Sequence, residues 1–303
     1  MNNPKFKVEM LHPRYWLLWL LIGVWWLVVQ MPYPCIVVLG KLLGNAMYLL
    51  AGRRRHIATC NIRVCFPDLA PGQQKKLVRQ NFECTGIALL ETGIAWWWPE
   101  KRLRKICTVE GLEHLQSAQG QGVILLGMHF TNLDIAGACL SLERAYNAMY
   151  RPHKNPVFDF VQLRGRLNRG SRIFPRDDLR TMIRLLREGE LVWYAPDQDY
   201  GLKHSIFAPF FGIEAATITA TAKLVKTGRA RVVPLIQQRL PGNKGHKVIL
   251  REALSDFPLG DEREDARIIN AVIEKEILLQ PENYLWTHRR FKTRPDDQPS
   301  IYK

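Results

Sequence analysis

The stretch that decides the fold runs over residues 123–134 and reads VILLGMHFTNLD. Its first six positions are apolar, with no polar alternation and with Gly127 as the only break. A short continuous apolar run of this kind reads as a strand buried on both faces, which is the habit of parallel sheets. The residues after it, 132–142, have helical spacing. Outward from there the same alternation repeats. Strands are expected over 147–150, 172–174, 191–195, 231–237 and 247–252. Helices are expected over 156–167, 179–188, 217–227 and 264–279, with Gly189 placed to end the 179–188 helix. The β-α-β-α order predicts an α/β fold with a mainly parallel sheet flanked by helices. In such sheets ligands bind beyond the C-terminal ends of the strands. That rule selects two loops, one beginning at His129 and one at Pro196.

The rest of the chain divides differently. We expect residues 1–50 to form a membrane anchor with interfacial helices, 51–108 a helical membrane-proximal segment, and 109–303 the α/β domain. No charged residue occurs from Tyr15 to Gly40, and four of the nine tryptophans (Trp16, Trp19, Trp25 and Trp26) fall there. Tryptophan favours the headgroup boundary of a bilayer, and about 20 apolar residues span its hydrocarbon layer. Pro32 and Pro34 end the first apolar helix, so it either spans or lies in the interface. Residues 35–50 read as a second apolar helix, packed on the first or half-sunk in lipid. The flank after the apolar run (Lys41, Arg53, Arg54, Arg55) is slightly more basic than the flank before it (Lys5, Lys7, Arg14, offset by Glu9). Positive flanks favour the cytoplasmic side, which places the body on the cytoplasmic face. Trp96, Trp97 and Trp98 are expected at a membrane-facing or ligand-facing edge.

The chain has 303 residues and a net charge of +15. Its 47% hydrophobic content excludes a disordered chain. Its length excludes a mini-protein that depends on disulfides. The excess positive charge concerns partners: nucleic acid, an anionic membrane surface, or an acidic protein or phosphorylated substrate. The apolar N-terminus favours the last two over nucleic acid. The six cysteines form no C-x-x-C pair and sit among apolar residues, so they are expected to be reduced packing residues.

The first loop places His129 at a strand end and Asp134 five residues on, in the first turn of the next helix. Such a pair makes a base and its orienter: the carboxylate accepts from one ring nitrogen and leaves the other free to take a proton. No G-x-S-x-G occurs, so the nucleophile is expected to be a hydroxyl of the substrate. The second loop offers Asp197 and Asp199, able to hold a polar headgroup or fix an arginine. Between the loops lies a basic run that includes Arg151, Arg164, Arg166, Arg169, Arg172 and Arg176, suited to bidentate phosphate contacts.

Taken together, LHPRYW at 11–16, NIRVCFPDL at 61–69, GMHFTNLD at 127–134, YRPHKNP at 150–156, GRL at 165–167, WYAPDQDYG at 193–201, VVPL at 232–235 and YLWTHRRFKTRP at 284–295 resemble the late acyltransferases of lipid A biosynthesis, with the lauroyl-type branch nearest. The resemblance implies transfer of an acyl chain from an acyl carrier protein thioester to a hydroxyl of a hydroxyacyl chain on a Kdo-bearing lipid A precursor. It implies the inner membrane of a Gram-negative bacterium, with membrane lipid as a further partner and nucleic acid as none. It makes His129 the base and Asp134 its partner, where the family usually carries Glu. It also matches Arg166 and Asp197 to substrate or transition-state stabilisation; Arg151, from the basic run, and Asp199, from the second loop, are further candidates for that role. A thioester is already activated, so neither metal nor cofactor is called for and no covalent acyl-enzyme is expected. Three rival readings are an acyltransferase acting on glycerophosphate or a lysophospholipid, a thioesterase, and a basic membrane-tethered binding protein without catalysis.

Overall fold

A computed structural model of the chain describes residues 4–116, 120–169, 172–296 and 298–303. Five helices come first: α1 (Trp16–Val28), α2 (Tyr33–Leu50), α3 (Gly52–Cys65), α4 (Pro71–Trp97) and the short α5 (Glu100–Leu103). They are followed by β1 (Cys107–Glu110), β2 (Val123–Leu126), α6 (Leu133–Ser141), β3 (Asn147–Tyr150), α7 (Pro156–Leu167), β4 (Arg172–Pro175), α8 (Leu179–Arg187) and β5 (Leu191–Tyr194). After these come β6 (Ser205–Phe210), β7 (Ile213–Ile218), α9 (Ala220–Gly228), β8 (Arg231–Arg239), β9 (His246–Leu250) and α10 (Glu262–Leu279).

The main sheet has seven strands in the order β1-β9-β8-β2-β5-β3-β4. Every neighbouring pair is parallel except β8 with β9. The expected α/β architecture with helices on both faces is therefore the observed one. β2 lies at the centre and all four of its residues are buried, as its unbroken apolar sequence requires. One face of the sheet packs with α4 and α6 around Ile94, Leu125 and Val233. The other packs with α8, α9 and α10 around Ile124, Leu186 and Ile273.

Two differences from the sequence reading lie in this body. A strand over Ile213–Ile218 takes in the first two residues of the helix expected from 217, which begins instead at Ala220. β6 and β7 make a hairpin whose two loop residues, Phe211 and Gly212, both have positive φ, the backbone that two-residue hairpin turns demand. The second difference is that Cys107 and Cys139 form a disulfide joining edge strand β1 to α6, with Cα atoms 5.3 Å apart. Both were expected to be reduced. Their partnership depends on β1 lying alongside α6, which no spacing in the chain reveals. β1 also straddles the boundary between 108 and 109 at which the α/β domain was expected to begin.

The N-terminal helices depart from expectation in length. α1 has 13 residues, or about 20 Å at 1.5 Å per residue, short of a ~30 Å hydrocarbon layer. Among the described residues, the helix long and apolar enough to cross a membrane is α2, with 18 residues. It packs on α4 rather than on α1. Gly40, Gly44 and Gly86 permit the approach: a Cβ on Gly86 would sit 2.2 Å from the Gly40 carbonyl oxygen. The outer faces stay bare, with Trp16, Leu17, Leu20 and Leu21 exposed on α1 and Leu42, Leu49 and Leu50 on α2. The tryptophan triplet is mostly interior. Trp96 and Trp98 are buried, Trp98 donates its indole N–H to the Val29 carbonyl (2.6 Å), and Trp97 packs edge-on against Trp25.

Candidate active site

β2 and β5 are parallel neighbours in register, with Leu126 beside Tyr194. Three residues beyond each strand lie His129 and Asp197, so the sheet delivers both side chains to the same level of its C-terminal edge. Gly127 is needed on the way: a Cβ there would fall 2.2 Å from the indole nitrogen of Trp193 on β5.

The His129 ring nitrogen Nδ1 lies 2.6 Å from Asp197 Oδ1, and the His129 backbone N–H donates to Asp197 Oδ2 at 2.8 Å. One carboxylate thus grips the histidine twice. Nδ1 carries the proton toward the acid, and Nε2 is left with the lone pair. Asp197 is 1% exposed. Burial would raise its carboxyl, but the attraction and hydrogen bonds of His129 outweigh burial and hold it below the usual carboxylate range. Burial would likewise lower the imidazole, and Asp197 outweighs it, so His129 sits above its ordinary value.

The expected pairing of His129 with Asp134 is not made. Asp134, the second residue of α6, accepts instead from Arg166 Nε at 2.9 Å. The reason is geometric. The Asp197 carboxylate occupies both N–H groups of His129, while α7 brings Arg166 across to the first turn of α6. Pro156 and the Asn155 side chain, which accepts from the Val157 and Phe158 backbone, start α7. Arg166 stays firmly protonated because Asp134 overcomes the cost of burial.

The Asp134–Arg166 pair lines a cavity of about 80 Å³ whose other walls include Trp96, Ala138, Leu140, Ala148 and Leu235. Trp193 lines it as well and meets the His129 ring edge-on, with centroids 6.0 Å apart. The guanidinium therefore stands in the wall of a mostly apolar hollow, and Trp193 connects that hollow to the imidazole. Asn132, the N-cap of α6, is buried, and neither end of its side-chain amide has a partner among the described residues. Such an orphaned amide beside a strand-end loop is available to a ligand.

Two further expected residues lie just beyond strand ends. Arg151 is exposed just past β3. Asp199 is buried and accepts from the Gly201 N–H (2.9 Å) and from Thr293 N–H (2.7 Å) and Oγ1 (2.9 Å), which pins the C-terminal tail.

That tail is what the sequence reading missed. Residues 283–288 run beside the histidine loop: Thr131 N–H donates to the Asn283 carbonyl (2.7 Å) and Leu285 N–H to the His129 carbonyl (3.0 Å). Two fully buried asparagines hold the tail in turn. Asn81 of α4 donates to the Glu282 and Tyr284 carbonyls, and Asn61 of α3 to those of Trp286 and His288. Asn61 and Asn81 interrupt apolar helix faces, which is the one signal that could have revealed them. No cluster of His, Cys, Asp or Glu among the described residues could hold a metal ion.

A parallel α/β sheet that presents a carboxylate-held histidine at its C-terminal edge, beside an apolar hollow, suits acyl transfer to a hydroxyl. Comparison with known proteins specifies the class. Residues 3–293 match the model of the bacterial lipid A biosynthesis acyltransferases. The chain is 44% identical to the lipid A biosynthesis lauroyltransferase of Escherichia coli K12, covering 99% of each protein. It is 43% identical to the palmitoleoyltransferase of that strain, over 98% of each, and 30% identical to its myristoyltransferase, over 99% of this chain and 94% of that one. The chain belongs to the bacterial lipid A biosynthesis acyltransferase family and is an acyltransferase.

Proposed function

We propose that this enzyme moves a fatty acyl group from an acyl carrier protein thioester to a hydroxyl of a hydroxyacyl chain on a Kdo-bearing lipid A precursor. Nε2 of His129 takes the hydroxyl proton as the oxygen attacks the thioester carbonyl. Asp197 holds the ring and stabilises the imidazolium that forms. A tetrahedral oxyanion results. Arg166, positioned by Asp134, and the unpartnered amide of Asn132 are the donors at hand for it. Collapse expels the carrier thiolate, which takes the proton back from His129. No acyl-enzyme forms. General base catalysis of this kind contributes roughly 10²–10⁴-fold, and each oxyanion donor roughly 10²–10³-fold.

The single observation that carries this reading is the 2.6 Å contact between His129 Nδ1 and Asp197 beside an apolar hollow that ends on a guanidinium. The hollow takes the part of the acyl chain next to the thioester. The exposed apolar faces of α1 and α2 support attachment to the inner membrane, with the body at the cytoplasmic face. The basic surface suits an acidic carrier protein and an acceptor bearing phosphates and carboxylates. Purified protein offered carrier thioesters of several lengths and the precursor with or without Kdo, with products read by mass spectrometry, tests the proposal. Acyl transfer to the acceptor is expected. Release of free fatty acid alone, or acylation of glycerophosphate in preference, would overturn it.

A further inference from the structure

An open basin of about 300 Å³ is lined by the start of α3, Asp199 and the C-terminal tail. Its lining is Arg53, Arg54, Ile57, Asp199, His288, Arg289 and Lys292. Five of the seven are basic, and the one acid is already engaged by Gly201 and Thr293. Lys292 stands 3.9 Å from Asp199. Among the described residues no carboxylate pairs with Arg53, Arg54 or Arg289. Arg54 is fixed to the tail through the Thr287 carbonyl (3.1 Å). Arg289 is held over the Tyr302 ring, with its Nε buried and without a partner. These contacts gather like charges without neutralising them, and gathered guanidinium forks are complementary to carboxylate or phosphate oxygens.

The location ties the basin to the reaction. Asp199 follows Asp197 by two residues, and its N–H donates to His288 Nε2 at 3.4 Å. The charges of Asp197 and His129 both act on His288. His129 is thus linked through Trp193 to the apolar hollow and through His288 and the Asp197–Asp199 loop to the cationic basin. α3 begins directly after Leu49 and Leu50, which are 71% and 85% exposed at the end of the apolar α2. Arg53 and Arg54 thus stand at the level where lipid headgroups would meet the protein.

We propose that this basin, built by Arg53, Arg54, His288, Arg289 and Lys292, holds the acidic sugar headgroup of the acceptor lipid and sets its hydroxyacyl chain beside His129. The inference rests on the acceptor assigned above and locates the protein's side of that recognition. The size of the basin is at the low end of ligand sites, roughly 300–1,000 Å³, enough for a sugar ring with its acid group. Anionic lipid of the surrounding bilayer has the same chemistry and is the competing occupant.

The test compares the full-length detergent-solubilised enzyme with its R53A/R54A and K292A variants, on acceptor with and without the acidic sugar. Removing a charge-assisted contact is expected to raise the KM for the acid-bearing acceptor roughly tenfold or more while kcat changes little. The KM for the acyl donor should not move, and acceptor lacking the acidic sugar should show no added loss. R53K/R54K, which keeps the charge, should recover part of the affinity and guards against misfolding. Equal losses on both acceptors overturn the inference. So does weaker binding to phosphatidylglycerol vesicles with an unchanged acceptor KM, which assigns the basin to the bilayer. A wild-type enzyme that acylates neither acceptor overturns the function itself, whereas active variants with unaltered KM overturn the basin alone.

Discussion

As the proposed base, His129 depends on one neighbour. The imidazole must be neutral to accept a proton, and Asp197 holds it above its ordinary value of about 6.5. On that mechanism activity should be lost as pH falls, through a value higher than that of a free imidazole. We expect the acid limb of kcat/KM to lie above 6.5. In Asp197→Asn the charge that favours imidazolium is gone and burial acts alone, so the limb should move to lower pH. The plateau should drop on the order of 10²–10⁴-fold, because the ring loses its orientation. A limb that stays in place would show that another group titrates. His129→Ala should reduce acyl transfer by at least roughly 10²-fold without changing membrane association. Turnover close to wild type, read by product mass spectrometry, would falsify the assignment of the base.

Between elements, the site depends on pieces distant in sequence. The tail that backs the histidine loop is held by Asn61 and Asn81, each spanning two backbone carbonyls. Asn81→Ala leaves those carbonyls buried without a donor, at a cost of roughly 1–3 kcal/mol. A lower melting temperature is expected, together with reduced kcat as the loop loses its backing. An unchanged melt would contradict the staple. β3 supplies Ala148 to the wall of the hollow. Ala148→Leu shortens the space open to an acyl chain, so kcat/KM for the longest donors should fall roughly tenfold or more relative to shorter ones. A uniform loss across chain lengths would place the acyl group elsewhere.

For the whole molecule, exposed apolar side chains line α1 and α2, and in the proposed membrane attachment their burial in lipid would remove that surface from water. Replacing Leu17, Leu20 and Leu21 with Gln should shift the enzyme from the membrane fraction toward the soluble one. Transfer to an acceptor presented in micelles should persist. Retention in the membrane fraction, resistant to high salt, would mean that α2 alone is the anchor.

Much of this was legible from the chain. The unbroken apolar run at 123–126 dictated a central strand, because only a position covered on both faces has no use for polar residues. Pro156 and Asn155 marked the start of α7, and the alternation of elements fixed the parallel sheet. His129 and Asp197 could be singled out from where they fall, and Arg166 from the family resemblance. Their partners could not. A carboxylate five residues downstream and one 68 residues downstream are equally plausible to a reader of sequence, and only the register of β2 beside β5 brings Asp197 to the imidazole and sends Asp134 to Arg166. The same holds for the Cys107–Cys139 bond, the asparagines beneath the tail and the cationic basin. Local pattern determines elements because burial and backbone geometry act within a few residues. Pairing across the molecule is decided by packing, where the stable arrangement is the one that satisfies every buried charge and amide at once.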